Sequence, residues 1–423
     1  MMTKNGGSKP PPYKEMDIIM QEKKKILFVI NTMGRAGAEK VLTSLLRVLD
    51  TAKVEVDLYS LIGRGEMFRR VPEYVHILNK EPVLASVLDD AGKRYIKKQI
   101  YKSLFKKFNF IRYLPYALKN IKAQKNRGKV MPDKLFWKLI ADAAPRFNKE
   151  YDLAIGFTEG AATYYVANRV KTKKKAAFLH VDYTVAGYVK SLDLKYYEKY
   201  DEIFSVSQVV KDNFDSIYPE FKNKSNVFQN IVIPDEIIAR SQNGKGFQDD
   251  FDGLRILTVA RLHPQKALDI AVDAFANFVK LGYDNVRWYV LGKGPERYNL
   301  ERQIQQHKLE DKFILLGAAP NPYPFFTQCD IYVQASHFEG WSIALAEALI
   351  LCRPTIISDY AGARDQVEDG ETGIIIKLSA ENITNALKQM VDDKTLRDKF
   401  SANLEKKNTD YAKDVHYIYD LLN

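Results

Sequence analysis

Short apolar runs and helical patterns alternate along the chain. The first run, Ile26-Leu27-Phe28-Val29-Ile30, is rich in β-branched residues and predicts a parallel strand buried on both faces. A glycine-bearing turn follows over 31–37, and then Val41, Leu42, Leu45, Leu46 and Leu49 recur at helical spacing. Residues 54–59, 152–156, 176–179 and 202–206 read as further strands, separated by helical patterns. The stretch 240–253 is rich in Gly, Gln, Asn and Asp and has the composition of a linker. Beyond it the alternation restarts, with strands at 254–260, 286–291, 313–316, 331–333, 355–357 and 373–376 and a helix at 267–281. Alternating strand and helix implies parallel sheets with right-handed crossovers. The expected class is therefore α/β: two Rossmann-like, doubly wound domains, 25–240 and 254–408, joined by a linker over 241–253. Ligands in such sheets sit beyond the carboxyl ends of the strands, so the two domains are expected to face each other across a cleft.

Composition narrows the class without naming a function. The 423 residues suit two large domains, and 46% apolar with 28% charged residues excludes a wholly disordered, collagenous or coiled-coil chain. Cys329 and Cys352 are the only cysteines, too few for a disulfide framework, and a reducing cytosolic compartment is the default. Residues 1–24 are polar, with Pro10-Pro11-Pro12, and read as a disordered lead without the apolar core of a signal peptide. No stretch approaches the roughly 18–20 apolar residues that span a bilayer.

The net charge of +11 is unevenly placed. Residues 93–149 carry seventeen Lys or Arg against Asp133 and Asp142, a balance of +15, so the rest of the chain sums to −4. Within 93–108, apolar residues at 96, 100, 101, 104, 105 and 108 follow helical spacing, with lysines on the other face. A basic, aromatic-rich amphipathic stretch reads as an interfacial element for an anionic membrane, docking through Lys97, Lys98, Lys102, Lys106 and Lys107. The plainer reading is a helix whose apolar stripe faces the domain core, and one stripe can do both. Nucleic acid is the rival partner, but no nucleic-acid module is recognisable.

Several chemistries drop out on motif grounds. Gly292-Lys293-Gly294-Pro295-Glu296-Arg297 begins like a dinucleotide fingerprint but has Arg in place of the third glycine. No Gly-Lys-Ser/Thr phosphate loop and no His-Glu-x-x-His pattern occurs. Asp250-Phe251-Asp252 has a metal-holding spacing but lies in the polar linker, and it reads as solvated charge.

Two clusters in the second half carry the chemistry. Arg261 and Lys266 lie five residues apart on a loop that ends a strand, where fixed cations suit a diphosphate. In Ser336-His337-Phe338-Glu339-Gly340-Trp341-Ser342, Gly340 lets a ligand approach the backbone, and the helix that starts at Ser342 offers amides to an anion. Glu339 precedes that helix. Glu347 lies about a turn and a half inside it, among Leu345, Ala346, Ala348 and Leu349, where an unpaired carboxylate is costly. One carboxylate can hold sugar hydroxyls and the other ribose hydroxyls.

These clusters, with Asn321-Pro322-Tyr323-Pro324 and Asp365-Gln366-Val367-Glu368-Asp369-Gly370-Glu371-Thr372-Gly373, resemble the retaining family-4 glycosyltransferases of GT-B fold over roughly 255–376. With Cys329-Asp330-Ile331-Tyr332-Val333-Gln334 they resemble bacterial enzymes that assemble surface polysaccharides. In the first half, Ala36-Gly37-Ala38-Glu39 is similar to the family's Gly-Gly-Ala-Glu turn with Ala36 in place of a glycine, and Leu179-His180-Val181-Asp182 to its strand-end histidine. Gly340-Trp341-Ser342 departs from the commoner Gly-Phe-Gly.

The resemblance implies that Arg261 and Lys266 grip the diphosphate, with Gly292, Gly340 and the amides near Gly37, Trp341 and Ser342 completing the donor site. It implies that Glu339 holds the sugar, Glu347 the ribose, and that His180 lines the sugar and acceptor site. It further implies no cofactor and no metal, and a nucleotide-sugar donor, UDP-sugar first. The implied acceptor is a lipid-linked or glycolipid saccharide, and the implied place is cytoplasmic, peripheral on the inner face of the membrane. Residues 409–423, with Tyr411, Val415, Ile418, Tyr419 and Leu422 on one face, are expected to cross back onto the first domain. The rival readings are a GT-B epimerase or phosphorylase, and a non-catalytic membrane- or nucleic-acid-binding protein.

Overall fold

The computed structural model describes residues 22–87, 89–105, 109–125, 132–407 and 409–423. Seven parallel strands form the first sheet: β1 (Lys24–Ile30), β2 (Val54–Ser60), β3 (His76–Ile77), β4 (Tyr151–Gly156), β5 (Thr172–Leu179), β6 (Glu202–Ser205) and β7 (Ser225–Val227). Six form the second: β8 (Leu254–Val259), β9 (Val286–Leu291), β10 (Phe313–Gly317), β11 (Ile331–Gln334), β12 (Thr355–Ser358) and β13 (Gly373–Ile376). The spatial orders are β3-β2-β1-β4-β5-β6-β7 and β10-β9-β8-β11-β12-β13. Both sheets therefore wind outward in two directions from a central pair, β1/β4 and β8/β11. Two strands lie outside the apolar runs. β3 and β7 are two and three residues long, and none of their positions is a buried apolar one, so they carry too little hydrophobic pattern to be read.

The central strands are buried on both faces, so successive side chains enter different cores. In β1, Leu27 and Val29 join one cluster, while Ile26, Phe28 and Ile30 join the other. In β9, Trp288 and Val290 face one side of the second sheet, while Tyr289 and Leu291 face the opposite side.

The two domains are tied twice. After β7 the chain runs through the helix Pro234–Ser241, whose Ile237 packs in the second domain's core. At the other end of the chain, Val415, Ile418 and Leu422 are buried in the first domain's core. Trp341 sits between them, packed against one cluster from each domain and 6.4 Å from the ring of Tyr411.

The basic segment enters between β3 and β4 as three helices, Asp90–Phe105, Asn109–Lys125 and Pro132–Ala143. Tyr95, Ile96 and Ile100 pack on the first core. Tyr101, Phe105, Ile111, Leu114 and Leu118 are each 58% or more exposed, so the apolar stripe faces both the core and solvent. Lys97, Lys98 and Lys102 are exposed, while Lys106 and Lys107, like residues 1–21, lie outside the described residues. No helix among the described residues is long and apolar enough to cross a membrane.

If the terminal segment is part of the first domain's core, Ile418→Ala should destabilise that domain. Removing a fully buried isoleucine costs about 2–5 kcal/mol, and Ile418 is 0% exposed. The first calorimetric transition should fall by several degrees, whereas an unchanged transition would show that the segment contributes nothing to this core.

Candidate active site

The crevices at β1/β4 and β8/β11 face each other, and the candidate loops leave the carboxyl ends of these strands and of their neighbours β5, which precedes His180, and β9, which precedes Gly292. On the second domain, β8 delivers Arg261 and Lys266, and β11 delivers Glu339. The two loops are joined by His337 N–H to Gln265 O (2.9 Å) and by Gln265 Nε2 to the Phe338 carbonyl (2.9 Å). Lys266 Nζ pairs with Glu339 Oε1, which also accepts from Ser336 Oγ at 3.0 Å. Both partners are largely buried. Arg261 is exposed and has no ion pair among the described residues, and its charge acts across the cleft on Glu39.

Gly292 packs a strand end. A Cβ there would stand 1.7 Å from Ala260 O, so only glycine lets the 292–296 loop lie against the Arg261 loop. Leu262 N–H to Lys293 O (3.1 Å) and Glu296 N–H to Leu262 O (3.2 Å) hold the two loops together. Gly340 brings the domains into contact, since a Cβ on it would lie 3.3 Å from His180 O.

The Ser342 amide differs from its expected role. It donates to Gln366 Oε1 at 2.8 Å and is already engaged, while the hydroxyl caps the helix Ile343–Ile350 through Leu345 N–H. Gln366, from the 365–373 segment, donates back to Ser342 O through its Nε2 at 2.8 Å. Ser342 therefore shapes the helix start instead of lending its own N–H to an anion.

On the first domain, the helix Gly37–Val48 begins at the crevice, and a Cβ on Gly37 would lie 3.2 Å from Ile343 Cδ1. Glu39, in its first turn, is buried and accepts from Thr32 Oγ1 at 2.9 Å. Burial pushes its carboxyl up to about 7, against the pull of the Thr32 bond and of Arg261. The loop after β4 places Glu159, whose Oε1 accepts from the amides of His180 and Val181, which fixes the backbone that presents His180. The His180 ring lies 5.1 Å from Phe157, and its Nε2 is shut off from solvent with no hydrogen-bond partner among the described residues. Burial lowers the ring's pKa to about 4, so the imidazole is neutral at physiological pH.

Glu347 is 1% exposed. Its Oε1 accepts from Tyr323 OH at 3.0 Å and from Lys40 Nζ of the first domain at 2.9 Å. Sequence reasoning assigned no role to Lys40, Tyr323 or Gln366. Lys40 sits on the polar face of an amphipathic helix, which by pattern alone reads as solvent-facing. Asp250 and Asp252 are exposed, as solvated linker charges. A separate cavity of about 590 Å³, lined by Phe247, Arg287, Tyr289, Ile314 and Phe325, includes none of these residues.

Residues 246–407 match the family described as glycosyl transferases group 1. The second domain is a group 1 glycosyltransferase domain. Over 385 residues the chain is 25% identical to the N-acetylgalactosamine-N,N'-diacetylbacillosaminyl-diphospho-undecaprenol 4-alpha-N-acetylgalactosaminyltransferase of Campylobacter jejuni, covering 88% of this chain and 92% of that protein. A shorter match, 29% over 161 residues, joins 38% of this chain to 24% of the poly(glycerol-phosphate) alpha-glucosyltransferase of Bacillus subtilis. Among solved structures, Anabaena HepE in complex with UDP and glucose superposes with a TM-score of 0.64 at 16% identity, over 94% of this chain and 99% of that one. The fold is GT-B, as the resemblance implied.

The buried Glu39 has a testable signature. Its carboxyl holds a proton in the folded chain between about pH 4.5 and 7 that the unfolded chain releases. Stability must therefore fall as pH rises through that window. Glu39→Gln keeps the Thr32 bond and removes the titration, so it should raise the Tm by more at pH 8 than at pH 5. An equal shift at both pH values would contradict the buried-proton account.

Proposed function

We propose that the protein is a retaining, metal-independent hexosyltransferase. It moves a hexose or N-acetylhexosamine from a nucleotide-sugar, UDP-sugar first, to a lipid-linked saccharide in cell-surface glycan synthesis. It works in the cytoplasm, peripherally on the inner face of the membrane. One observation carries this reading. Arg261, Lys266, Glu339 and Glu347 of the second domain meet the Gly37 helix start and His180 of the first across a single cleft.

The chemistry is stabilisation of a leaving group. The bond between the anomeric carbon and the donor phosphate breaks, and its electron pair stays on the diphosphate. The acceptor oxygen bonds to the same face of that carbon, and its proton passes to the departing phosphate oxygen. Arg261, Lys266 and the helix-start amides at Gly37 offset the developing charge, and one such preorganised donor is worth about 3–4 kcal/mol. Glu339, held by Lys266 and Ser336, accepts from donor-sugar hydroxyls, and neutral His180 lines the sugar and acceptor site. The alpha linkages in the relatives' names support retention, because an α-linked donor giving an α-linked product keeps its configuration. The UDP bound to Anabaena HepE supports the donor class, and the diphospho-undecaprenol in the Campylobacter name supports the acceptor class.

The membrane surface rests on the exposed face of the basic segment. Tyr101, Phe105, Ile111, Leu114 and Leu118 are solvent-facing beside Lys97, Lys98 and Lys102. Each basic residue near an anionic leaflet contributes about 1 kcal/mol.

Glu339→Ala and Lys266→Ala should each lower kcat by at least about a hundred-fold while leaving the circular-dichroism spectrum unchanged. Near-normal transfer by either variant would sink the site assignment. Charge reversal at Lys97, Lys98 and Lys102 should weaken partition onto phosphatidylglycerol vesicles by roughly a hundred-fold or more. Undiminished flotation of that variant would reject membrane docking by this face.

A further inference from the structure

The helices Gly37–Val48 and Ile343–Ile350, one from each domain, meet near their N-terminal ends. Gly37 and Lys40 are three residues apart on the first, and Ile343 and Glu347 four apart on the second, so each pair presents one face. The contact runs in register: Gly37 against Ile343, whose Cδ1 would lie 3.2 Å from a Cβ placed on the glycine, and Lys40 Nζ against Glu347 Oε1 at 2.9 Å. Lys40, Tyr323, Ile343 and Glu347 line one small cavity between the domains.

The two oxygens of Glu347 are treated differently. Oε1 accepts from both Lys40 and Tyr323, whereas Oε2 is buried and has no partner among the described residues. A buried carboxylate oxygen with no donor is costly, and such atoms in native proteins mark a missing partner. Lys40 and Tyr323 together fix the rotation of the carboxylate and leave Oε2 as the oxygen still owed a donor.

We propose that Lys40 is a positioning residue for the nucleoside. By reaching from the first domain to Oε1, it orients Glu347 so that Oε2 accepts from the ribose hydroxyls, and full nucleoside affinity then requires the two domains to be in contact. This deepens the donor-site reading above and rests on it. The opposite role, a plug that the ribose must displace, makes the opposite prediction.

The test is calorimetric titration of wild type, Lys40→Ala and Lys40→Arg with UDP and with 2′,3′-dideoxy-UDP. Losing a charged hydrogen-bond partner of this kind should weaken UDP binding by about ten- to a hundred-fold in Lys40→Ala. The loss should be under about three-fold for the dideoxy nucleotide, because that ligand has no ribose hydroxyl for Glu347. Lys40→Arg should recover most of the UDP affinity. A merely structural lysine would weaken both ligands equally, and that result, or tighter UDP binding by Lys40→Ala, would overturn the proposal. If wild type itself fails to distinguish UDP from its dideoxy form, the assignment of Glu347 to ribose fails as well.

Discussion

Right-handed crossovers on a parallel sheet leave one gap, the place where the winding reverses and neighbouring loops part in opposite directions. Here that gap lies between β1 and β4 and again between β8 and β11. Two such gaps face each other, and the site is assembled from what the loops carry into them. The strands supply the rigidity. Their apolar side chains fill cores on both faces, so the loops leave from fixed points and need little order of their own.

The charges in the cleft are arranged in partnerships that an anionic ligand can complete. Lys266 is held against Glu339, and Lys40 of one domain against Glu347 of the other. Arg261 is exposed and unpaired among the described residues, whereas burial favours the neutral forms of Glu39 and His180. In a water-poor cleft an unscreened carboxylate facing a diphosphate would be strongly unfavourable. Pairing three carboxylates with cations or a hydroxyl, and keeping the imidazole neutral, leaves the cleft receptive to negative charge. The +15 segment stands apart from these pairs, for its described lysines lie between β3 and β4, on the inserted helices and, for Lys149, in the coil before β4.

A single helix, Gly37–Val48, joins these themes. Its apolar face anchors it in the first core, its first turn meets the crevice, and Lys40 and Arg47 on its polar face reach Glu347 and Glu236. Domain contact and donor geometry therefore depend on the same turn of helix. The C-terminal residues Val415, Ile418 and Leu422 support the arrangement from the far side, locking the end of the second domain's chain into the first domain's core.

Hydrophobic periodicity is local, and so the sequence by itself determined the two α/β domains, most of the thirteen strands, the loops that bear Arg261, Lys266, His180 and Glu339, and the helix that bears Glu347. The short edge strands β3 and β7 escaped it because they bury too few side chains to leave a pattern. Which loop residues are free to act was decided only by the tertiary structure. The Ser342 amide was open to an anion in sequence and is taken by Gln366 in space, from a segment twenty-four residues away. Lys40 looked like a solvated charge and meets Glu347 across 307 positions of chain. A helix's polar face shows in its sequence that it avoids its own core, but what it faces instead depends on how two separately folded domains dock, and no local pattern encodes that.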